Sequence, residues 1–506
     1  MFNCIRNCFS NSIRDNVKGC RIVQLLWSDT LMRRAFFVLQ PFLTDVWKLS
    51  FTHAAAIVNI WEGTSLMLPA VFQLLADKYL GNFKVVVIST VSSTLGIVFV
   101  TMSLPPVLGM GPCKEYNETC VGNTQRGLLY LGVALTAIGR GGLTVSVPCL
   151  HDEQTSQGGQ FKLCGLVQKH GSTAQNLCVY AIGLVIISLI SSWTFRFGFP
   201  AIFAAFVTVT FLGGWSSYTK TGPKDEGSLL STLFKAFTPC RNHQENEGGR
   251  KESSFMRHIT GISINFIILG IVSALGNTFF VSQANYMKRK FLFMTIPLAV
   301  FQLPMLIALA AAPCICAMCA FLQCANKYCN FCVPRCLRTI PSIVGVAVAM
   351  AHAILCCVVA AAVVKRKHAM WLVFQFYLVA CVDVFFRSSI EAYYHAQAPS
   401  TLRDYHDVYT DFVTGVGYFS SVVLVAIVGR VSEGEGKGKK SWFGETVGES
   451  RLDRYYWLLA VLGTLSLAGF WVMVPFCIGR VDKSPANDDN DSNRLRHQSS
   501  CCFGRY

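Results

Sequence analysis

The sequence predicts an all-α, polytopic membrane protein built from twelve spanning helices in two groups of six. Two observations carry this. Hydrophobic residues make up 52% of the 506 residues and charged residues only 14%, against roughly 25% charged in an ordinary globular domain. The apolar residues also gather into runs of about 20, the length that crosses a bilayer as a helix. A soluble enzyme, a disordered scaffold and a coiled coil are excluded on those grounds. The formal net charge is +16, which elsewhere points to nucleic acid. Here the basic residues lie in short clusters between apolar runs, as in membrane proteins, so no nucleic-acid partner is expected.

Reading the runs in order gives the spans. The first, Ala35–Phe51, is short and holds Pro41, Asp45 and Lys48; residues 1–34 before it are expected to be a cytosolic segment. They are polar and basic (Arg6, Arg14, Lys18), without the apolar core of a cleavable signal peptide. Five more runs follow, Ala54–Leu75, Val85–Leu104, Gly127–Leu150, Ala174–Trp193 and Phe197–Tyr218, completing a first bundle over 35–218. A polar cytosolic linker is expected over 219–258. The second bundle, 259–478, comprises Ile259–Gln283, Ile296–Leu322, Thr339–Val364, Met370–Tyr394, Thr410–Val431 and Tyr455–Ile478. A polar cytosolic tail, 479–506, closes the chain. Such a duplication places a solute site between the bundles near the membrane midplane. The bias of Lys and Arg favours both termini inside, with Lys288–Lys290 and Lys365–Lys367 as exceptions.

That orientation puts the loop with Cys113, Cys120 and the sequon at Asn117 outside. It predicts a glycan on Asn117 and a small disulfide between Cys113 and Cys120; a chance sequon beside two unrelated thiols is the alternative. Most of the 22 cysteines lie in or beside apolar runs, where Cys packs as a small hydrophobe. The loop run Cys329, Cys332, Cys336 is open to three readings: plain thiols, acylation or a metal. No metal site or cofactor is assigned.

Several segments in order resemble a known family. Ala54–Thr64 with Ala76–Gly81, Ile138–Gly142, Gly276–Phe280 with Gln283 and Ala284, Trp371–Phe376 through Tyr393 and Pro399, and Tyr456–Ala460 are similar to motifs of the plant nitrate/peptide transporters. These belong to the proton-dependent oligopeptide transporters of the major facilitator superfamily. The resemblance implies a major-facilitator-type bundle of six plus six helices and a gating role for Asp77 in the loop after the second helix. An acid there can pair with a basic residue or helix end of the opposite bundle. Two departures accompany it. The family's first-helix E-x-x-E-R/K motif, linked to proton coupling, has no equivalent in Trp27–Arg34, and its fourth-helix lysine is replaced by Thr144.

Ionisable residues inside spans are expensive and point to function. Glu62, Arg140, Asp383, Arg387 and Glu391 are such residues, and Thr144 stands one turn beyond Arg140. Asp383, Arg387 and Glu391 share one helix face at i, i+4 and i+8. Two arrangements follow: an internal ladder in which Arg387 neutralises its neighbours, or an anion clamp formed by Arg140 and Arg387 from opposite bundles. His352 reads as a packed imidazole or a site residue.

The expected function is alternating-access transport of a small anionic or zwitterionic solute, of the nitrate, peptide, hormone or glucoside class, with the lipid bilayer, the solute and protons as candidate partners. A transport-inactive relative acting as a sensor or scaffold is the alternative. The plasma membrane is expected, the vacuolar membrane being the other candidate. No P-loop, H-E-x-x-H or G-x-S-x-G signature of an enzyme is present.

Overall fold

A computed structural model describes residues 2–104, 107, 122–155, 177–222, 247–291, 294–308, 310–311, 340–399, 402–433 and 441–478. The first half contains α1 (Phe2–Phe36), α2 (Leu39–Asp45), α3 (Phe51–Leu75), α4 (Gly81–Met102), α5 (Asn123–Thr155), α6 (Leu177–Leu189) and α7 (Trp193–Leu212). The second contains α8 (Glu247–Asn277), α9 (Phe279–Tyr286), α10 (Leu298–Ala308), α11 (Ile340–Val363), α12 (Leu372–Gln397), α13 (His406–Glu433) and α14 (Leu452–Ile478). A two-residue hairpin, Lys290–Phe291 with Met294–Thr295, links α9 to α10.

Among the described residues, eight segments are long and apolar enough to cross a membrane, and one of them, Phe51–Met102, holds both α3 and α4. The shorter apolar helices α6 and α10 add two. With α1–α2 in front, the arrangement fits twelve spans. Helices are the expected solution, because a bilayer leaves no partner for an open backbone.

The first span is where the chain departs from expectation. No helix runs over Ala35–Phe51. Instead α1 continues to Phe36, the chain turns at 37–38, α2 follows, and a second break precedes Phe51. The cause is an apolar stripe inside the stretch expected to be cytosolic: Ile22, Leu25, Met32, Ala35 and Phe36 are each at most 2% exposed. This stripe packs on α5 and α7. Polar residues in the same helix, Asp29, Arg33 and Arg34, lower the average hydropathy that marks a span. The expected linker is also helical at its end, since α8 begins at Glu247. The glycan and disulfide expected at Asn117, Cys113 and Cys120, the loop run Cys329–Cys336 and the tail from 479 lie outside the described residues.

Small residues set the helix spacing, as is common where lipid offers no hydrophobic drive for association. On α5, Gly132, Gly139 and Gly142 meet α4 at Val100, Ser93 and Ser89. A Cβ on Gly139 would stand 2.5 Å from the Ser93 backbone nitrogen. Gly141 turns the other way, and its Cβ would fall 2.5 Å from Leu68 Cβ on α3. The glycines flanking Arg140 therefore bring α3, α4 and α5 to close contact. The main seam between the halves joins α3 to α13, where Gly63 faces Gly415.

The two ends of the halves are joined differently. At the end carrying Asp45, Asn285 Nδ2 donates to both Asp45 oxygens at 3.1 Å. Phe51 packs on Phe279 with ring centroids 5.0 Å apart, and its N–H donates to the Glu445 carbonyl. Arg34 on α1 donates to the side chain of Gln302 on α10. At the opposite end, α3 runs into a π-helical turn, Ala76–Leu80, closed by Gly81 at φ +73°. A side chain at Gly81 would be strained and would meet the Thr221 carbonyl oxygen at 2.6 Å.

The glycine seam yields a prediction. Gly139→Leu overpacks the α4–α5 contact and should lower stability by about 1–3 kcal/mol, read as a fall in the thermal unfolding midpoint of purified protein. Gly127→Ala, where nothing lies within 4 Å of the added Cβ, should leave the midpoint unchanged or slightly raised. Equal effects from the two would refute close packing at this seam.

Candidate functional site

Glu62 sits near the middle of α3 and Arg140 near the middle of α5, both on the first half. The close approach of α3 and α5 at Gly141 brings the two side chains together. Arg140 Nη1 donates to Glu62 Oε2 at 2.6 Å and Nη2 donates to Oε1 at 2.8 Å. The pair is buried, with side-chain exposures of 4% and 9%. The guanidinium carbon lies 5.4 Å from the centre of the Trp61 ring, and the indole N–H donates to Thr136 Oγ1 on α5 at 3.1 Å. A planar fork on a carboxylate is the strongest form of such a bond, and in lipid neither charge tolerates losing its partner.

The second half has its own neutralised arginine. Arg387 on α12 donates through Nη2 to Asp411 Oδ1 on α13 at 2.5 Å. Arg387 is enclosed by the bundle, yet its side chain is 45% exposed while Asp411 is 8% exposed. Such a side chain borders space that water can enter. Thr144, one turn past Arg140, is exposed in the same sense; its hydroxyl donates to the Arg140 carbonyl at 2.9 Å.

Asp383 does not pair with Arg387 by hydrogen bond. It accepts from Ser273 on α8 at 2.7 Å. Glu391 lies farther along, with Oε1 3.9 Å from His406 Nε2. The ladder expected along α12 is therefore split: Arg387 turns to α13, Asp383 to α8 and Glu391 toward His406. Arg140 likewise does not stand open toward Arg387, because Glu62 holds both of its terminal nitrogens. His352 places Nδ1 2.8 Å from the Val348 carbonyl and its ring 5.0 Å from Phe385, a packed position.

Asp77 is 4% exposed. It accepts from Gln73 Nε2 at 3.0 Å and from the Tyr405 hydroxyl at 3.3 Å. Tyr405 belongs to the short turn before α13, so this contact crosses between the halves. The partner expected was a basic residue or helix end. A hydroxyl from the other half is among the partners of Asp77.

Sequence reasoning missed Asp29, Arg33 and Arg34. All three interact electrostatically with Glu62 and Arg140, and Arg33 also with Asp383 of the other half. Arg33 is exposed, and no hydrogen bond or ion pair among the described residues engages it. One carboxylate oxygen of Asp29 is buried without a hydrogen-bond partner. Arg34 stacks 4.1 Å over the Tyr180 ring. The signal for all three was present: apolar residues at helical spacing from Ile22 to Phe36, with Asp29 and Arg33 one turn apart among them.

An apolar pocket lies away from this chemistry, among Ile259, Phe266, Val346 and Phe470 within the second half. Its lining is dominated by aliphatic and aromatic side chains, and it reads as a packing gap. No cluster of metal-ligating side chains occurs among the described residues.

Comparison with known proteins agrees with the architecture. No family model matches the chain. Over 540 residues it is 25% identical to Protein NRT1/ PTR FAMILY 5.5 of Arabidopsis thaliana, covering 92% of this chain and 98% of that one. It is 23% identical to Protein NRT1/ PTR FAMILY 4.5 of the same plant, covering 85% and 88%. Among solved structures it resembles an auto-inhibited POT family peptide transporter, with a TM-score of 0.66, 14% identity, and coverage of 93% and 98%. The nucleoside transporter NupG gives a TM-score of 0.60 at 11% identity, covering 90% and 99%. The chain is an integral, multi-pass membrane transporter in fold and kinship. Motif order and full-length similarity ally the chain with the NRT1/PTR proteins, and its fold is that of the POT transporters.

Proposed function

We propose that the chain is a secondary transporter that carries a small zwitterionic solute by alternating access between its two halves. One observation carries this reading: Arg33 on the first half is exposed and its side chain makes no hydrogen bond or ion pair among the described residues, while Asp383 on the second half accepts from Ser273 and makes no ion pair among them either. The other interior arginines described are committed, Arg140 to Glu62, Arg387 to Asp411 and Arg34 to Gln302. A solute with an anionic end on Arg33 and a cationic end on Asp383 bridges the halves and favours their closure. Several of the solved structures that the chain resembles are peptide transporters, which supports a zwitterionic cargo. The ties at the Asp45 end, with solvent reaching Arg33, Arg387 and Thr144, favour a cavity that opens at the Asp77 end. With the termini inside, that end faces the cytosol. The plasma membrane is the location this reading assigns.

Proton coupling, where it operates, is assigned to Asp29. Glu62 and Asp383 were the candidates on sequence, but both Glu62 oxygens are held by Arg140 and Asp383 accepts from Ser273. Asp29 keeps a buried oxygen free of hydrogen-bond partners and lies beside Arg33, so its protonation changes the charge next to the solute.

Proteoliposome uptake tests the reading, with dialanine and nitrate as probes. Arg33→Gln should lower uptake of both by at least about ten-fold, the loss of a charged hydrogen bond of about 1.5–3 kcal/mol. Asp383→Asn should lower dialanine uptake by a similar factor and spare nitrate. Uptake of both probes unchanged in Arg33→Gln would remove Arg33 from the site. No flux of any solute across peptides, nitrate, hormones and glucosides would favour the alternative of a transport-inactive sensor.

The coupling assignment has its own measurement. In Asp29→Asn, dialanine accumulation driven by an inward proton gradient should be lost while dialanine counterflow continues. Accumulation that survives in this variant would place the proton elsewhere.

A further inference from the structure

The Glu62–Arg140 pair has features that a simple structural salt bridge does not need. Its two bonds are those a solute carboxylate would make on the same fork. It lies next to the unpaired guanidinium: Arg140 is the strongest electrostatic neighbour of Arg33. Both partners belong to the first half, on helices locked by Gly141 against Leu68 and by Trp61 against Thr136. Rocking of one half against the other leaves such a pair intact, so its neutralising effect is constant through the cycle.

We propose that Glu62 is a specificity-determining residue, a tethered counter-ion that fixes the charge the pocket accepts. By filling the Arg140 fork it leaves a single guanidinium, Arg33, for cargo, and a dianion finds one positive partner and two carboxylates, Glu62 and Asp29. Removing the carboxylate presents two adjacent guanidinium groups, which suit a doubly charged oxyanion. This deepens the zwitterion reading above and rests on it for the role of Arg33.

The test needs no knowledge of the natural solute. Purified full-length protein is titrated with sodium sulfate and its thermal unfolding midpoint followed, with sodium chloride of matched ionic strength as the reference. Wild-type protein should show no saturable gain over the reference. Glu62→Gln should show one, with apparent affinity at least about ten-fold tighter than wild type, equal to about 1.4 kcal/mol. Adding Arg33→Ala to Glu62→Gln should erase the gain. An equal sulfate response in wild type, no response in Glu62→Gln, or a response that persists in the double variant would each overturn the proposal. Should Glu62→Gln fail to fold, Glu62→Asp decides, because its shorter stem loosens the fork: a partial gain supports the proposal and none overturns it. Loss of dialanine flux with the sulfate gain retained would sink the transport reading and leave this one standing.

Discussion

A guanidinium in the middle of a membrane-spanning bundle cannot lose its proton and cannot reach water through lipid, so the fold must supply its counter-charge. In this chain that requirement fixes the first half. Arg140 reaches Glu62 because α3 and α5 approach as closely as Gly141 allows, and α5 is pressed onto α4 by Gly139 and Gly142. The glycine run and the ion pair are two sides of one constraint. A bulkier residue at any of these glycines would separate the helices, and the fork would then miss its carboxylate.

The second half meets the same requirement with different parts. Arg387 takes its counter-charge from Asp411 on the neighbouring helix, and α8 is held to α13 where Gly270 faces Gly417. Each half is thus electrically complete at its arginine and rigid at its glycines. Contacts that join them include hydroxyl and amide hydrogen bonds such as Tyr405 to Asp77 and Asn285 to Asp45, a charged one from Arg34 to Gln302, and ring contacts such as Phe51 on Phe279. Rigid-body rocking keeps the pairs within each half and must remake the contacts between halves in each cycle.

The sequence disclosed the bundle because apolar run length is a direct consequence of bilayer thickness, and run length needs no knowledge of neighbours. Glu62, Arg140, Asp383 and Arg387 were legible for the same reason, as charges where charge is costly. Their partners were not. The i, i+4, i+8 spacing of Asp383, Arg387 and Glu391 is real, but spacing along one helix says nothing about competition from other helices. Ser273, Asp411 and His406 each offered an acid or arginine of that face a partner on another helix or in the loop leading to it. Asp29 and Arg33 escaped for the opposite reason. Their own polarity dilutes the apolar average of α1, so a span that carries charge into the bundle looks like a cytosolic segment. A face-by-face reading of Ile22, Leu25, Met32 and Phe36 recovers it.

The departures from the family's pattern are then parts of one rearrangement. Replacing the fourth-helix lysine by Thr144 removes a mobile ammonium from the cavity wall and leaves a hydroxyl that bonds back to its own helix. Arg140, one turn earlier, restores the charge but in a planar form that a carboxylate can hold at two points, and Glu62 does hold it. The charge is present and no longer exchangeable. Responsibility for contacting cargo passes to the guanidinium without a tether, Arg33, on the one span whose outward sequence character concealed it. A pocket in which most charges are permanently matched discriminates through the few that are not, and here those few stand on opposite halves, where binding a bridging solute and closing the cavity are the same event.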